Sequence, residues 1–310
     1  MRKMKVAVTI RSFDKKNLDE KAFTDRCEVS FFNSTGKRLN EDELIRALDG
    51  AEAVIAGTES FSRNVLTARP GIRIISRVGV GLDSIDKETA ETNHLVITTT
   101  PFSPIVAVAE HTIALLLSIM KRITKYDSNM RKGEFGTEPG SLLAGKTVGI
   151  VGMGRIGRKV AGYLECFQCR IWYYDPVIQE QPSAGWRRAS TLEDLVENSD
   201  ILLLHAPPRP DGSPIINGEI LRRCRPGIIL VNTSRGSVLD EDALTKHLDS
   251  GRVSGAGLDV FSIEPYRGPL LRYPQVVVTP HVASNTSESR VEMEREAVKN
   301  LLNAVGGVLE

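Results

Sequence analysis

Residues 147–175, TVGIVGMGRIGRKVAGYLECFQCRIWYYD, constrain the fold of this chain more than any other stretch. Val148 to Val151 form a short apolar run of the kind a strand buried on both faces shows. Gly152, Gly154 and Gly157 follow it as G-x-G-x-x-G, and Val160, Ala161 and Leu164 then recur with helical spacing. Each glycine has its own physical job. Gly152 allows the tight turn, Gly154 lets backbone approach a pyrophosphate, and Gly157 lets helix and strand pack closely. The unpaired N–H groups at the helix start, with the positive end of its dipole, suit a diphosphate. A second strand, Arg170 to Tyr174, ends at Asp175, about 20 residues past the glycines. A carboxylate there can accept hydrogen bonds from both ribose hydroxyls of NAD and would repel the extra phosphate of NADP. The stretch therefore predicts a dinucleotide-binding βαβ unit.

Strand and helix patterns alternate on both sides of this unit. Before it, strand-like runs are Val6–Ile10, Cys27–Phe32, Ala53–Ala56, Ile72–Ser76 and Leu95–Thr98. Asn40, with Glu43 three residues on, marks a helix start ahead of Leu44, Ile45 and Leu48. After it, strands are expected at Ile201–His205, Ile228–Asn232, Val253–Asp259 and Val276–Thr279, with helices at Thr191–Asn198, Gly218–Arg223 and Glu241–Leu248. A last helix runs from Ser287 to about Val305. The alternation predicts an α/β chain with two doubly wound parallel sheets, helices on both faces of each. Ser103-Pro104 opens a long helix from Ile105 to about Arg131, whose apolar surface runs nearly all round. Glu110 within it is read as a buried acid with a structural partner.

Composition narrows the partners. With 40 Lys and Arg against 39 Asp and Glu, a net charge of +1 gives no electrostatic case for nucleic acid or an anionic membrane. The absence of an apolar run of about 18 residues, and a start that leads straight into a strand, point to a soluble, cytoplasmic protein. Four cysteines in 310 residues make no disulfide framework, and Cys166-Phe-Gln-Cys169 lacks the second pair a zinc site would need. Both are read as ordinary thiols, and no metal is expected.

Three later segments, Asn232-Thr-Ser-Arg-Gly236, Asp259-Val-Phe-Ser-Ile-Glu-Pro265 and Thr279-Pro-His-Val-Ala-Ser284, join two earlier ones, Arg77-Val-Gly-Val-Gly-Leu-Asp83 and Val108-Ala-Glu-His-Thr-Ile-Ala-Leu-Leu-Leu117. Together they resemble the D-isomer-specific 2-hydroxyacid dehydrogenases. The resemblance covers essentially the whole chain, with a pattern nearest to phosphoglycerate dehydrogenase and the hydroxypyruvate and glyoxylate reductases. It implies a Rossmann NAD domain, residues 101–285, inserted into a discontinuous flavodoxin-like substrate domain, residues 1–100 and 286–310. It also implies a homodimer through the helix after Pro104. Arg235, Glu264 and His281 are the catalytic residues it implies. Arg155 and Ile156 would line the pyrophosphate, and His205, Ala206 and Pro207 would pack near the adenosine. Thr233 and Asp259 would face the nicotinamide. Arg77, Val78, Gly79 and Val80, with Arg235 and His281, would bind the substrate, the glycine-rich backbone presenting N–H groups to its carboxylate.

The chemistry suits those residue types. Reducing a 2-oxo acid takes a hydride at C2, from the nicotinamide, and a proton at the forming alkoxide. Imidazole titrates near neutral pH, so His281 can supply the proton. Glu264 against the other ring nitrogen would orient it. Arg235 can hold a carboxylate with two parallel N–H bonds. Formate dehydrogenases of the family carry glutamine where this chain has Glu264, so the glutamate argues for a 2-hydroxy/2-oxo acid pair. 3-Phosphoglycerate and phosphohydroxypyruvate are one such pair. Glu59, after the third strand, would repel a phosphate if it faced the substrate, which keeps hydroxypyruvate and glyoxylate as the alternative. Arg11, directly after the first strand, is a candidate reader of the substrate's distal group. A non-catalytic NAD(H)-sensing binding protein of the same fold is a further alternative.

Overall fold

Parallel strands covered by helices on both sides must be apolar on both faces; among the short runs of residues 4–98 this holds best for 53–56, all buried, and less for 27–32 and 96–98, where Glu28, Val29, Ser30 and Val96 are exposed. In the computed structural model, which describes residues 2–18 and 21–309, they form β1 (Met4–Val8), β2 (Cys27–Phe32), β3 (Ala53–Ala56), β4 (Ile74–Arg77) and β5 (Val96–Thr98). The sheet order is β2-β1-β3-β4-β5, all neighbours parallel. Residues 1 and 310, the outer limits of the expected first domain, lie outside the described residues.

Side chains along β1 alternate between two cores. Val6 and Val8 pack with Met293, Ala297, Val298 and Leu301 of the last helix, Ser287–Leu309, whereas Ala7 packs with Leu44, Leu48, Val65 and Leu66 on the other face. The helix Glu41–Ala47 starts on the capping box that its sequence predicts. Asn40 Oδ1 accepts the Glu43 N–H and Glu43 Oε2 accepts the Asn40 N–H, both at 2.9 Å. Because the last helix covers this sheet, Met1–Pro104 and Thr286–Glu310 form one compact unit and Ile105–Asn285 another. Val291 of that helix is exposed.

The second unit holds β6 (Thr147–Val151), β7 (Arg170–Tyr174), β8 (Arg187–Arg188), β9 (Ile201–Leu204), β10 (Ile228–Asn232), β11 (Val253–Leu258) and β12 (Val276–Val278). The order β8-β7-β6-β9-β10-β11-β12 is parallel throughout and reverses direction between β6 and β9. That reversal makes it a doubly wound Rossmann sheet, which takes its ligand at the carboxyl ends beside the switch point. Within β9, Leu202 and Leu204 face one core and Ile201 and Leu203 the other. β8, two arginines long, was invisible to an apolar-run search.

The expected long helix is two helices, Ile105–Met120 and Ile123–Arg131. Arg122 adopts a left-handed φ of 55° between them. Returning chain holds the break: Ser141 N–H donates to Met120 O at 2.9 Å, and Arg122 Nη1 bonds Glu138 Oε2 at 2.6 Å. These partners come from a segment that local periodicity cannot see. Much of the apolar surface of the Ile105–Met120 helix is buried on the sheet, where a Cβ on Gly257 would meet Leu115 and Ile119 at 3.1 and 3.0 Å. Glycine in β11 thus lets the helix lie close. Glu110, expected to be buried, is exposed.

Both cysteines of C-x-x-C are free thiols, and burial pushes Cys169 up to about 11. No described helix is long and apolar enough to cross a membrane.

A Cβ on Gly140 would stand 2.6 Å from Met120 O. Gly140→Ala should therefore displace the returning segment and destabilise the protein by about 1–3 kcal/mol in a denaturant titration.

Candidate active site

The glycine turn after β6 is built by close backbone approach. Gly152 has φ 95°, and a Cβ there would stand 2.7 Å from His205 C and Ala206 N. A Cβ on Gly157 would stand 2.2 Å from Gly152 O. Gly154 differs, because the space a Cβ would take is open. It is the N-cap of the helix Arg155–Cys166 and provides no side-chain cap. An uncapped helix start facing open space under a glycine is a cradle for a diphosphate, and NAD fits it. His205–Pro207 continue β9 alongside, where His205 N–H donates to Val151 O at 2.8 Å.

Asp175 ends β7 beside this turn. Its Oδ2 accepts the Met153 N–H at 2.8 Å, and Oδ1 accepts those of Val177 at 2.8 Å and Ile178 at 3.0 Å. Burial alone would raise its pKa; the three N–H donors and nearby Arg188 outweigh it and hold the carboxyl below its ordinary value. Oδ2 keeps a lone pair for a ribose hydroxyl, while Oδ1 is filled by its own loop. His205 is a different case. Its Nε2 is shut off from water with no hydrogen-bond partner among the described residues, and burial pushes the imidazole down to about 4.

Arg235, Glu264 and His281 follow three adjacent strands, β10, β11 and β12, at their carboxyl ends. The pair closes directly: His281 Nδ1 lies 2.9 Å from Glu264 Oε2. A carboxylate only accepts, so Nδ1 carries the proton and Nε2 is left for a substrate. Glu264 Oε1 accepts the Phe261 N–H at 3.1 Å, which fixes the carboxylate from behind. The imidazole and carboxylate are both partly exposed, at 46% and 38%. His281 has φ 53°, a left-handed conformation uncommon outside glycine.

Asn232, which the motif reading passed over, turns the Arg235 loop. Its Oδ1 accepts the N–H and hydroxyl of Ser234 at 3.0 and 2.8 Å, and its Nδ2 donates to Arg235 O at 2.9 Å. The signal was present, since an asparagine ending a strand commonly bonds its backbone two residues on. Gly236 then seats the Arg235 loop on the Glu264 loop, where a Cβ would stand 1.9 Å from Phe261 C.

Asp259 and Thr233, expected at the nicotinamide, have side chains engaged within the fold. Asp259 is fully buried, and its carboxylate accepts Thr279 Oγ1 at 2.6 Å and the N–H groups of Val282 and Ala283 at 2.9 Å each. Burial would push this carboxyl up; hydrogen bonds from His111, Thr279, Val282 and Ala283 bring it below its ordinary value. The side chain is enclosed because it organises the His281 turn. Thr233 is likewise turned away, its hydroxyl 2.8 Å from Thr112 Oγ1. His111 and Thr112, on the Ile105–Met120 helix, were missed because a helical apolar stripe gives no sign of what its polar members meet.

In the first unit, Val78 N–H donates to Ala56 O at 2.9 Å and Gly79 N–H to Thr100 Oγ1 at 2.8 Å. Two of the N–H groups expected to meet an anion are thus used within the fold. Arg77 reaches the neighbouring Val78 carbonyl. Arg11 is exposed, just past β1. Glu59 is buried, its Oε2 accepting the Gly57 N–H at 2.7 Å and Thr9 Oγ1 at 3.4 Å.

Comparison with known proteins places these features. Residues 113–283 match the family model described as D-isomer specific 2-hydroxyacid dehydrogenase, NAD binding domain. A D-3-phosphoglycerate dehydrogenase of Mycobacterium tuberculosis is 34% identical over 305 residues, covering 93% of this chain and 57% of that protein. The chain thus spans little more than half the length of that relative. A glyoxylate reductase of Thermofilum pendens is 35% identical over 295 residues, covering 91% of this chain and 86% of the reductase. Among solved structures, D-lactate dehydrogenase from Aquifex aeolicus, complexed with NAD and lactic acid, superposes with a TM-score of 0.83 at 28% identity, covering 98% of this chain and 96% of that one.

His205, neutral when folded, must gain a proton on unfolding in acid. Its contribution is fully present above the ordinary histidine value of 6.5 and is lost as pH falls towards about 4. The thermal midpoint of the protein should decline across that window, and less steeply in His205→Asn, as calorimetry at stepped pH would show.

Proposed function

The chain belongs to the D-isomer-specific 2-hydroxyacid dehydrogenase family, and on that premise we propose that it interconverts a D-2-hydroxy acid and its 2-oxo acid with NAD. The observation that carries this reading is the 2.9 Å His281–Glu264 contact at the carboxyl ends of the sheet that also bears the open glycine turn. Hydride exchange with C2 is the chemistry NAD supplies when bound. His281 Nε2 gives the alkoxide its proton in reduction and takes it in oxidation, while Glu264 keeps Nδ1 protonated and the ring aimed. Arg235 grips the substrate carboxylate. Arg155, Ile156 and Gly157 hold the pyrophosphate, Asp175 Oδ2 holds a ribose hydroxyl, and His205 to Pro207 flank the adenosine.

Glu59 favours a small, unphosphorylated substrate such as hydroxypyruvate or glyoxylate over phosphohydroxypyruvate. Its buried carboxylate bridges the ends of β1 and β3, the switch point of the first sheet, where a doubly wound sheet takes its ligand. The Glu59 carboxylate there repels a phosphate.

The second unit also exposes Phe135 at 83%, Leu142 at 71%, Met130 at 56%, Ile123 at 55% and Val106 at 48%. These belong to the two helices after Pro104 and the segment returning from them, and a second copy of the chain is the partner that suits so apolar a surface. Free thiols throughout fit a reducing cytoplasm.

NADH oxidation should be fastest with hydroxypyruvate or glyoxylate among a set including pyruvate and phosphohydroxypyruvate. Turnover of none of them, with NADH bound, would favour a sensor. His281→Ala should cost about 100-fold or more in kcat; an unchanged rate refutes the assignment.

A further inference from the structure

The His281 turn is held from behind by a residue with no assigned role. Thr279 Oγ1 stands 2.6 Å from Asp259 Oδ1 and 3.0 Å from His111 Nε2. A carboxylate cannot donate, so the threonine hydroxyl gives its proton to Asp259 and can only accept from the imidazole. His111 Nε2 therefore carries a hydrogen, and the order of donation runs His111 to Thr279 to Asp259. The same nitrogen lies 3.5 Å from Asp259 Oδ1. Asp259 in turn accepts the N–H groups of Val282 and Ala283, and its backbone carbonyl accepts the His281 N–H at 2.8 Å. Between those anchors His281 is kept at φ 53°, a conformation a non-glycine residue holds only when its surroundings over-determine it.

We propose that His111 is a positioning residue for the 279–283 turn, locking the Thr279 hydroxyl onto Asp259 and thereby the His281 ring onto Glu264. The next residue acts in the same sense on the neighbouring loop. Thr112 donates to Val108 O at 2.8 Å, so it accepts from the Thr233 hydroxyl and braces the turn that leads to Arg235. One helical turn thus steadies the loops after β10 and β12. Without the imidazole the Thr279 hydroxyl can rotate away, the buried carboxylate loses donors, and the turn relaxes. The catalytic half of this inference rests on the dehydrogenase reading; the structural half does not.

The test compares His111→Ala, His111→Gln and Thr279→Val in the full chain, by amide hydrogen exchange at Val282 and Ala283 and by steady-state kinetics. His111→Ala should speed exchange at these two amides by about 10-fold, the scale of one lost hydrogen bond. It should lower kcat by about 10-fold to 100-fold through misplacement of the ring, leaving KM for NADH within about 2-fold. His111→Gln, whose side-chain amide can donate to Thr279, should recover most of both. Thr279→Val, which cuts the same link at its other end, should reproduce the faster exchange, and carries the test if His111→Ala does not fold. Unchanged exchange, an unchanged kcat in an active enzyme, or a glutamine variant no better than alanine each overturns the proposal. A wild-type protein inactive on every 2-oxo acid would refute the dehydrogenase reading and leave the exchange result to judge the lock.

Discussion

A single buried carboxylate carries the geometry of the catalytic end of the second unit. Asp259 sits just past β11, beneath the turn that presents His281, and its donors among the described residues belong to that turn or to the Ile105–Met120 helix. An isolated charge at zero exposure would be costly. Four donors offset the cost and hold the group ionised. The balance is fragile in one direction, since removing any donor leaves the charge buried and less compensated. A polar cluster of this kind adds little net stability, but it allows one arrangement of the turn.

Glycines decide how closely the loops can stack around that arrangement. Gly236 brings the Arg235 loop onto the backbone of Phe261 and Ser262, whose loop ends in Glu264. Gly157 and Gly152 do the same for the nucleotide turn, and Gly257 lets the helix bearing His111 come down on β11. Side chains far apart in the chain converge because backbone replaces side chain at these contacts. The His281–Glu264 pair therefore inherits its placement from packing as much as from its own hydrogen bond.

Several groups read as ligand contacts turn out to serve the fold first. Asp175 accepts two N–H groups from its own loop and one from the glycine turn, and Asp259 and Thr233 face inward. Backbone N–H groups of Val78 and Gly79 are likewise committed. A motif records that a residue type is needed at a position without saying which of its atoms is spent locally. Groups that the fold leaves less committed include Oδ2 of Asp175, Nε2 of His281 and the uncapped start of the Arg155–Cys166 helix.

The amino-acid sequence by itself determined the secondary-structure alternation, the two doubly wound sheets and the glycine turn, whereas the His281–Glu264 pairing was legible only through the family resemblance. The first three follow from local signals: apolar runs of strand length, a capping box at Asn40, and three glycines with an acid at the right distance. Only the tertiary structure decided that the helix after Pro104 breaks at Arg122, that Asp259 points into the protein, and that His111 and Thr112 reach the catalytic loops. In each case the deciding partner lies far away in the chain, in Glu138 and Ser141, in Val282 and Ala283, or in Thr279 and Thr233. Periodicity reports which face of an element is apolar; it holds no information on which distant polar atom will meet that element once the chain has folded.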